Sequence, residues 1–342
     1  MIVTVTPNPS IDRTVTLSAP LTRGGVHRVT SVTDQAGGKG VNVARVLTMA
    51  GIDTVALLPA APNDPLLTAL GSTGVMLRAV PVAGPARTNL TITEPDGTTT
   101  KINEPGATLD TATARALSDA VLDAAKDADW VVMSGSLPPG IPDSWYAEMV
   151  AALAGRSCRV AVDTSDAPLA ALVAGLHRGA PDLIKPNAEE LAGVLGLSPQ
   201  TLESAVAQGD PEPVVRAARQ LIERGVGTVL ATLGAAGAVL VDATGAWTAT
   251  PPPIVPRSTV GAGDSSLAGY VRAEVGGAPP PQRLQMAVAY GSAAAALPGT
   301  TLPGPAEIDL DAVAVSPVSR SQPTTPATPI DDPRHAVTRQ RR

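Results

Sequence analysis

Short, continuous runs of apolar and β-branched residues recur along the chain. Ile2-Val-Thr-Val, Val55-Ala-Leu-Leu, Trp130-Val-Val-Met, Val160-Ala-Val-Asp, Asp182-Leu-Ile-Lys and Thr228-Val-Leu-Ala-Thr do not alternate with polar residues. That is the pattern of strands buried on both faces. Between them, apolar positions fall at helical spacing. Thr111–Lys126 carries them at 112, 116, 117, 120, 121 and 124. A second helix is expected after Asp210 as N-cap, with Pro211 at its first position, running to Glu223 before Gly225. This alternation predicts an α/β fold, a mostly parallel sheet flanked by helices on both faces. In such sheets ligands bind beyond the carboxyl ends of the strands. Polar residues collect there in Ser134–Ser136, Asp163, Lys185–Asn187 and Thr232.

Two segments break the pattern. Residues 13–35 and 87–103 alternate polar and apolar, as in Thr88-Asn-Leu-Thr-Ile-Thr and Thr98-Thr-Thr-Lys-Ile-Asn, and Glu94-Pro-Asp-Gly97 supplies a hairpin turn. They predict strands outside the parallel core, forming a small second sheet that serves as a lid, a dimer surface or both. After Leu310 the composition shifts to Pro, Ser and Thr and ends in RHAVTRQRR. One domain is expected over 1–310, followed by a disordered tail over 311–342.

Composition narrows the function classes. Hydrophobic residues make up 44% of the 342 positions, but aromatics only 2% with no Phe, so the core must rest on Val, Leu, Ile and Ala. A net charge of −6 argues against a general nucleic-acid binder. Cys158 is alone, which excludes a disulfide framework or a cysteine metal site, and His27, His177 and His335 are scattered. The first residues run straight into a strand pattern, and no apolar run is long enough to span a bilayer, so a cytoplasmic protein without membrane partners is expected.

Four clusters can carry chemistry. Gly37-Gly-Lys-Gly-Val-Asn42 opens a helix; it is not a Walker loop, because the glycine spacing is wrong and no Ser or Thr follows Lys39. Ser134-Gly-Ser-Leu-Pro-Pro-Gly140 follows a strand, and Ser136 can contact a ligand or simply belong to a rigid connection. In Lys185-Pro-Asn-Ala-Glu-Glu190, Asn187 and Glu190 have capping-box spacing and could also organise a hydrated Mg²⁺. Finally, Thr232-Leu-Gly-Ala-Ala-Gly237 and Ser258-Thr-Val-Gly-Ala-Gly-Asp-Ser-Ser-Leu-Ala-Gly269 place glycine turns on one sheet edge. The second of these combines anion-attracting backbone N–H groups with the carboxylate of Asp264.

GGKGVNVARVL and STVGAGDSSLAG resemble the two signatures of the ribokinase-like sugar kinases. TVTPNPSIDRTV, ARTNLTI, KINEPG, SGSLPPG and KPNAEEL are similar to the branch holding 1-phosphofructokinases and tagatose-6-phosphate kinases, in register over about residues 1–310. The resemblance implies a ribokinase-like core with a β-sheet lid, phosphoryl transfer from Mg·ATP, and a homodimer joined through the lids; a monovalent-cation requirement is left open. By position it implies Asp264 as general base and Gly261, Ala262 and Gly263 as anion hole. Asn187 and Glu190 match the pair that organises Mg²⁺ through water. Lys185, Asn187, Thr232, Leu233, Gly234, Ala235, Ala236, Gly237 and Gly263 match nucleotide contacts. Asp12, Gly38 and Asn42 match residues that hold sugar hydroxyls, with Ser136 nearby. Lys39, Arg87 and Lys101, with Arg28 as a weaker candidate, fall where they could grip a phosphate already on the sugar.

The leading expectation is ATP-dependent phosphorylation of fructose 1-phosphate to fructose 1,6-bisphosphate, with tagatose 6-phosphate or fructose 6-phosphate as alternative acceptors. Two other classes compete. A dinucleotide-dependent oxidoreductase is disfavoured because the first strand leads to Thr6-Pro-Asn-Pro rather than G-x-G-x-x-G. A non-catalytic sugar-phosphate sensor would have no need of Asp264.

Overall fold

The computed structural model describes residues 1–318. Its strands, in chain order, are β1 (Ile2–Val5), β2 (Ser10–Leu17), β3 (Val29–Gly37), β4 (Thr54–Ala60), β5 (Met76–Pro81), β6 (Arg87–Thr93), β7 (Thr99–Asn103), β8 (Trp130–Ser134), β9 (Arg159–Asp163), β10 (Leu183–Ile184), β11 (Thr228–Thr232), β12 (Ala238–Asp242), β13 (Ala246–Thr250) and β14 (Ala314–Pro317). Ten of them form one sheet in the order β14-β13-β12-β11-β10-β9-β8-β1-β4-β5. All six runs singled out in the sequence are strands of this sheet. From β11 to β5 every neighbouring pair is parallel, whereas β12, β13 and β14 join antiparallel.

The helices are α1 (Lys39–Met49), α2 (Pro65–Gly71), α3 (Thr111–Ala124), α4 (Trp145–Leu153), α5 (Asp166–Ala174), α6 (Ala188–Val194), α7 (Pro199–Ala207), α8 (Glu212–Glu223), α9 (Ala262–Val275) and α10 (Pro280–Ala296). One face of the sheet packs on α3, α4, α5, α6 and α8, the other on α1, α9 and α10. Helix α3 starts where Asp110 accepts a hydrogen bond from Thr113 N at 2.7 Å and ends two residues before the expected limit. In α8 the N-cap is Pro211, one residue later than expected, but Asp210 Oδ1 still accepts from Glu212 N at 3.0 Å. Val214, Val215, Ala217, Ala218 and Leu221 turn inward at helical spacing, which fixes the buried face of α8. Among the described residues no helix is long and apolar enough to cross a membrane.

The expected boundary at Leu310 is moved by β14, which lies inside the segment read as tail and pairs with β13 from Trp247↔Pro317 to Thr250↔Ala314. A four-residue strand ending in proline gives little signal in a sequence, and proline is tolerated there because β14 is the sheet edge. The rest of the tail, 319–342, lies outside the described residues.

The lid is a separate four-stranded sheet, β3-β2-β6-β7. Its first pair runs from 10 to 37, somewhat wider than the expected 13–35. β2 pairs antiparallel with β3 and parallel with β6, and the β6–β7 hairpin closes at Gly97 (φ 89°), whose N–H donates to Glu94 O at 3.0 Å. The register sorts most of its side chains by polarity. One face carries Ser10, Asp12, Thr14, Gln35, Arg87, Asn89, Thr91 and Lys101; the other carries Ile11, Val15, Val32, Leu90, Ile92 and Ile102, with the Arg13–Asp34 ion pair in the row between Ile11 and Val15. Chain order aims the polar face: β1 runs through Thr6–Pro9 into β2, and β3 runs through Gly38 into α1.

Candidate active site

The carboxyl ends of the parallel strands share one edge. There, Ser134 and Asp163 are register partners, and Lys185 follows Ile184, the partner of Val162. The N-termini of α1 and α9 point at this edge, and both begin at glycines with positive φ, Gly38 at 110° and Gly261 at 76°. A side chain at Gly38 would approach Thr6 Cγ2 to 2.7 Å, so only glycine lets α1 start against β1.

Four charged groups and one amide meet between these helices. Asn42 Nδ2, from α1, donates to Asp264 Oδ2, from α9, at 2.8 Å. Lys39 Nζ donates to Asp163 Oδ1 at 3.1 Å. Lys185 Nζ stands 3.3 Å from Asp163 Oδ2, an ion-pair distance without hydrogen-bond alignment. A side chain at Gly263 would come within 3.2 Å of Lys185 Nζ, which sets that ammonium against the glycine loop. In the loop, Ala262 N reaches Thr259 O only at 3.4 Å, and the first-turn N–H groups of α9 have no intrahelical acceptor.

Burial dominates the electrostatics. Asp264 is 6% exposed, and burial pushes its carboxyl up to about 6; Lys39 pulls it back, Asp163 adds to the rise, and the Asn42 hydrogen bond and Lys185 oppose it. For Asp163 burial acts in the same direction, but Lys185 and Lys39 outweigh it and hold the carboxyl below its ordinary 3.8. Asp163 in turn is the main reason that Lys39 is held above the ordinary lysine range. Glu190 is raised by burial, against the hydrogen bond it accepts from Asn187 N.

On the lid side, Asp12 Oδ1 accepts from Ser10 Oγ at 2.7 Å and from Asn89 Nδ2 at 3.0 Å. Gly37 leaves the room that the Asp12 carboxylate fills. Arg87 Nη1 donates to Glu104 O at 3.2 Å and Arg45 Nη1 to Ala36 O at 3.2 Å, and both guanidiniums feel the Asp12 charge. Buried polar atoms without a hydrogen-bond partner gather here, namely Gln35 Oε1, Arg87 Nε and Asn89 Oδ1. Ser136 Oγ accepts from Asn8 Nδ2 at 3.3 Å, and the same amide donates to Pro105 O at 3.0 Å.

On the opposite side, Asn187 Oδ1 accepts from Glu190 N and Glu190 Oε2 from Asn187 N, each at 2.8 Å, a complete capping box. Thr232 N donates to Pro186 O at 3.0 Å. The turn Gly234–Ala236 and Gly237 (φ 95°) follow β11. Asn187, Thr232, Leu233 and Gly234 line a cleft of about 370 Å³ together with Glu189 and Glu203.

The structure thus brings Lys39, Asn42, Lys185, Gly263 and Asp264 into one centre, with Asp12 and Arg87 on the lid above it. Lys101 stands apart. It shares the polar lid face but lies two rows beyond Arg87, about 13 Å along the strand. There it lines a groove of about 400 Å³ with Thr14, Thr91, Arg257, Ser258 and Thr300. Arg28 is exposed just before β3. Asn42, expected on the sugar, donates its amide hydrogen bond to Asp264. Sequence reasoning placed Asp163 at the ligand edge without giving it a role, and missed Asn89, Gln35 and Arg45. Asp163 had a signal, its place at a strand end; the other three had the two-residue period that puts them in line with Asp12, or the helical period that follows Asn42.

Comparison with known proteins agrees with this geometry. Residues 5–307 match the pfkB family carbohydrate kinase model. The chain is 37% identical over 274 residues to a 1-phosphofructokinase of Xanthomonas campestris pv. campestris, covering 79% of this chain and 83% of the relative. It is 36% identical over 308 residues to a 1-phosphofructokinase of Rhodobacter capsulatus, covering 89% and 93%. Among solved structures, phosphofructokinase-2 from Escherichia coli in complex with potassium superposes with a TM-score of 0.81 at 30% identity, covering 90% of this chain and 96% of that one. A ribokinase-like sheet, a polar lid and relatives of this identity over most of the chain place the protein in the pfkB family of carbohydrate kinases.

Proposed function

We propose that the protein transfers the γ-phosphoryl group of ATP to the 6-hydroxyl of fructose 1-phosphate, giving fructose 1,6-bisphosphate and ADP. The observation that carries this reading is the buried Asp264 carboxylate at a glycine-opened helix N-terminus, oriented by Asn42, in a chain similar to 1-phosphofructokinases. Asp264 takes the hydroxyl proton as that oxygen bonds to phosphorus and the bond to the β-phosphate oxygen breaks. The N–H groups at Gly261, Ala262 and Gly263, the α9 dipole and Lys185 face the charge that develops on the transferred group. Asp12, held by Ser10 and Asn89, accepts from sugar hydroxyls. Arg87 and Lys39 supply positive charge for the phosphate already present, and Lys101 lies on the outer rim of the same face.

Asn187 and Glu190 fit a Mg²⁺ held through water, because each spends one oxygen on the capping box and Glu190 keeps the other. No group of three or more His, Cys, Asp or Glu among the described residues could ligate a metal directly, which suits an ion carried largely by phosphates and water. Bound there, Mg²⁺ would neutralise phosphate charge. Thr232–Gly237 form the adjoining wall for the nucleotide. The potassium in the Escherichia coli structure makes a monovalent cation part of the reading.

A second acceptor, fructose 6-phosphate, is favoured by the 0.81 superposition on phosphofructokinase-2. ADP release measured with fructose 1-phosphate, fructose 6-phosphate and tagatose 6-phosphate decides between them. The highest kcat/KM is expected with fructose 1-phosphate; equal turnover of all three, or none with fructose 1-phosphate, rejects the assignment.

A further inference from the structure

We propose that Asp163 is a positioning residue, a single buried anion that fixes the ammonium groups of Lys39 and Lys185 and so places acceptor and nucleotide relative to one another. The inference rests on the kinase reading above.

Each carboxylate oxygen faces a different lysine, Oδ1 toward Lys39 Nζ at 3.1 Å and Oδ2 toward Lys185 Nζ at 3.3 Å. The two lysines come from different elements and different sides of the site. Lys39 opens α1, beneath the lid. Lys185 follows β10, against Gly263 of the anion hole and two residues before Asn187. A lysine ammonium is a point charge on four flexible carbons, so its position is set by what it pairs with. Asp163 is a rigid partner: it is the last residue of β9, flanked by β8 and β10, and its carbonyl accepts from Gly135 N at 2.9 Å. Gly135 is itself held through its carbonyl by Tyr146 Oη at 2.8 Å and Thr164 Oγ1 at 2.9 Å.

Exposure separates this arrangement from an ordinary core ion pair. The Asp163 side chain is 1% exposed and Lys185 5%, but Lys39 is 39% exposed. The anion is sealed while one of its cations opens to the cleft, where its remaining donors can meet a ligand. Removing the anion would leave Lys185 buried and uncompensated and would set two like charges against each other.

The same charge bears on Asp264. The groups that act on that carboxylate are Lys39 and Asn42 from α1, Asp163 from β9 and Lys185 after β10. Loss of the Asp163 charge removes a repulsion and strengthens the effect of both lysines, so Asp264 would ionise at lower pH.

The test uses the full chain carrying Asp163→Asn. Calorimetric titration with ATP, KM for ATP and for fructose 1-phosphate, and the pH dependence of kcat are compared with wild type, with thermal melts to establish folding. Both KM values are expected to rise by about tenfold or more, ATP affinity to fall in parallel, and the acidic limb of kcat to move to lower pH. A folded variant with either KM unchanged, or with its acidic limb unmoved, overturns the proposal, since a merely structural lesion lowers the active fraction without moving either. If Asp163→Asn does not fold, Asp163→Glu carries the test: it keeps the charge but displaces it by one methylene. Weaker binding of both ligands with an unmoved acidic limb is then expected, and wild-type KM values overturn the idea. The ATP titration needs no turnover, so a wild type inactive on fructose 1-phosphate would reject the acceptor assignment alone, and the acceptor measurements would use whichever of the three sugars turns over.

Discussion

The burial of Asp264 works against stability. Its carboxyl stays protonated to higher pH in the fold than in the unfolded chain, because burial outweighs Lys39, Asn42 and Lys185. The sign follows. A raised carboxyl costs the fold nothing below its unfolded value of 3.8, costs progressively more as pH rises to about 6, and the full amount above. That amount is up to about 3 kcal/mol at 1.36 kcal/mol per pH unit. In the proposed role of general base, however, Asp264 would work only when ionised, so kcat/KM should fall below pH 6 and reach roughly a tenth of its plateau at pH 5. Asp264→Asn separates the two roles. Turnover is expected to drop by about 10²–10⁴-fold with ATP affinity retained, while Tm rises by a few degrees at pH 7.5 and not at pH 4. Near-normal turnover would remove Asp264 from the mechanism; an unchanged Tm at pH 7.5 would mean that its charge is better compensated than the four neighbours indicate.

At the scale of elements, the strands and their order of use were legible and the contacts between them were not. Apolar runs such as Ile2–Val5 and Trp130–Met133 declare buried strands because nothing polar interrupts them. The alternation in β6 and β7 declares a two-faced sheet. Asp163 was visible only as a polar strand end, because its partners lie 124 and 22 residues away and pattern reading works within a window of one element. Asn42 and Asp264 are 222 residues apart, so nothing in the local pattern announces the hydrogen bond between them. What joins them is the convergence of α1 and α9, and that depends on Gly38. Gly38→Ala adds a methyl 2.7 Å from Thr6 Cγ2 and 3.2 Å from Pro9 Cα in a left-handed conformation. Gly74→Ala is the matched case, with φ 75° and open space around it. Denaturant titration should show roughly 1 kcal/mol lost at Gly74 and clearly more at Gly38, and only Gly38→Ala should raise the acceptor KM, because α1 carries Lys39 and Asn42. Equal losses at the two sites would mean that the start of α1 adjusts freely.

For the whole molecule, the lid poses a problem that one chain does not solve. Its polar face closes over the site, but its other face presents Ile11, Val15, Val32, Leu90, Ile92 and Ile102 in neighbouring rows around the Arg13–Asp34 ion pair, with Val32 53% and Ile102 54% exposed. Isolated exposed apolar residues are ordinary on a protein surface; adjoining rows of them on one sheet face mark a contact surface. A second copy of the chain, meeting it lid to lid, would bury both faces at once and would hold each lid at a fixed height above its own Asp264. Light scattering on the full chain at micromolar concentration should therefore give the mass of a dimer. Val32→Asp combined with Ile102→Asp should raise the dimer dissociation constant by about 100-fold or more, since each places a charge on the apolar face. The acceptor KM should rise with dissociation, because Asp12 and Arg87 belong to the lid, while ATP affinity, which depends on the core, should change little. A wild type that is monomeric at these concentrations would leave the apolar face without this partner, and a dimer indifferent to both substitutions would place the contact elsewhere on the molecule.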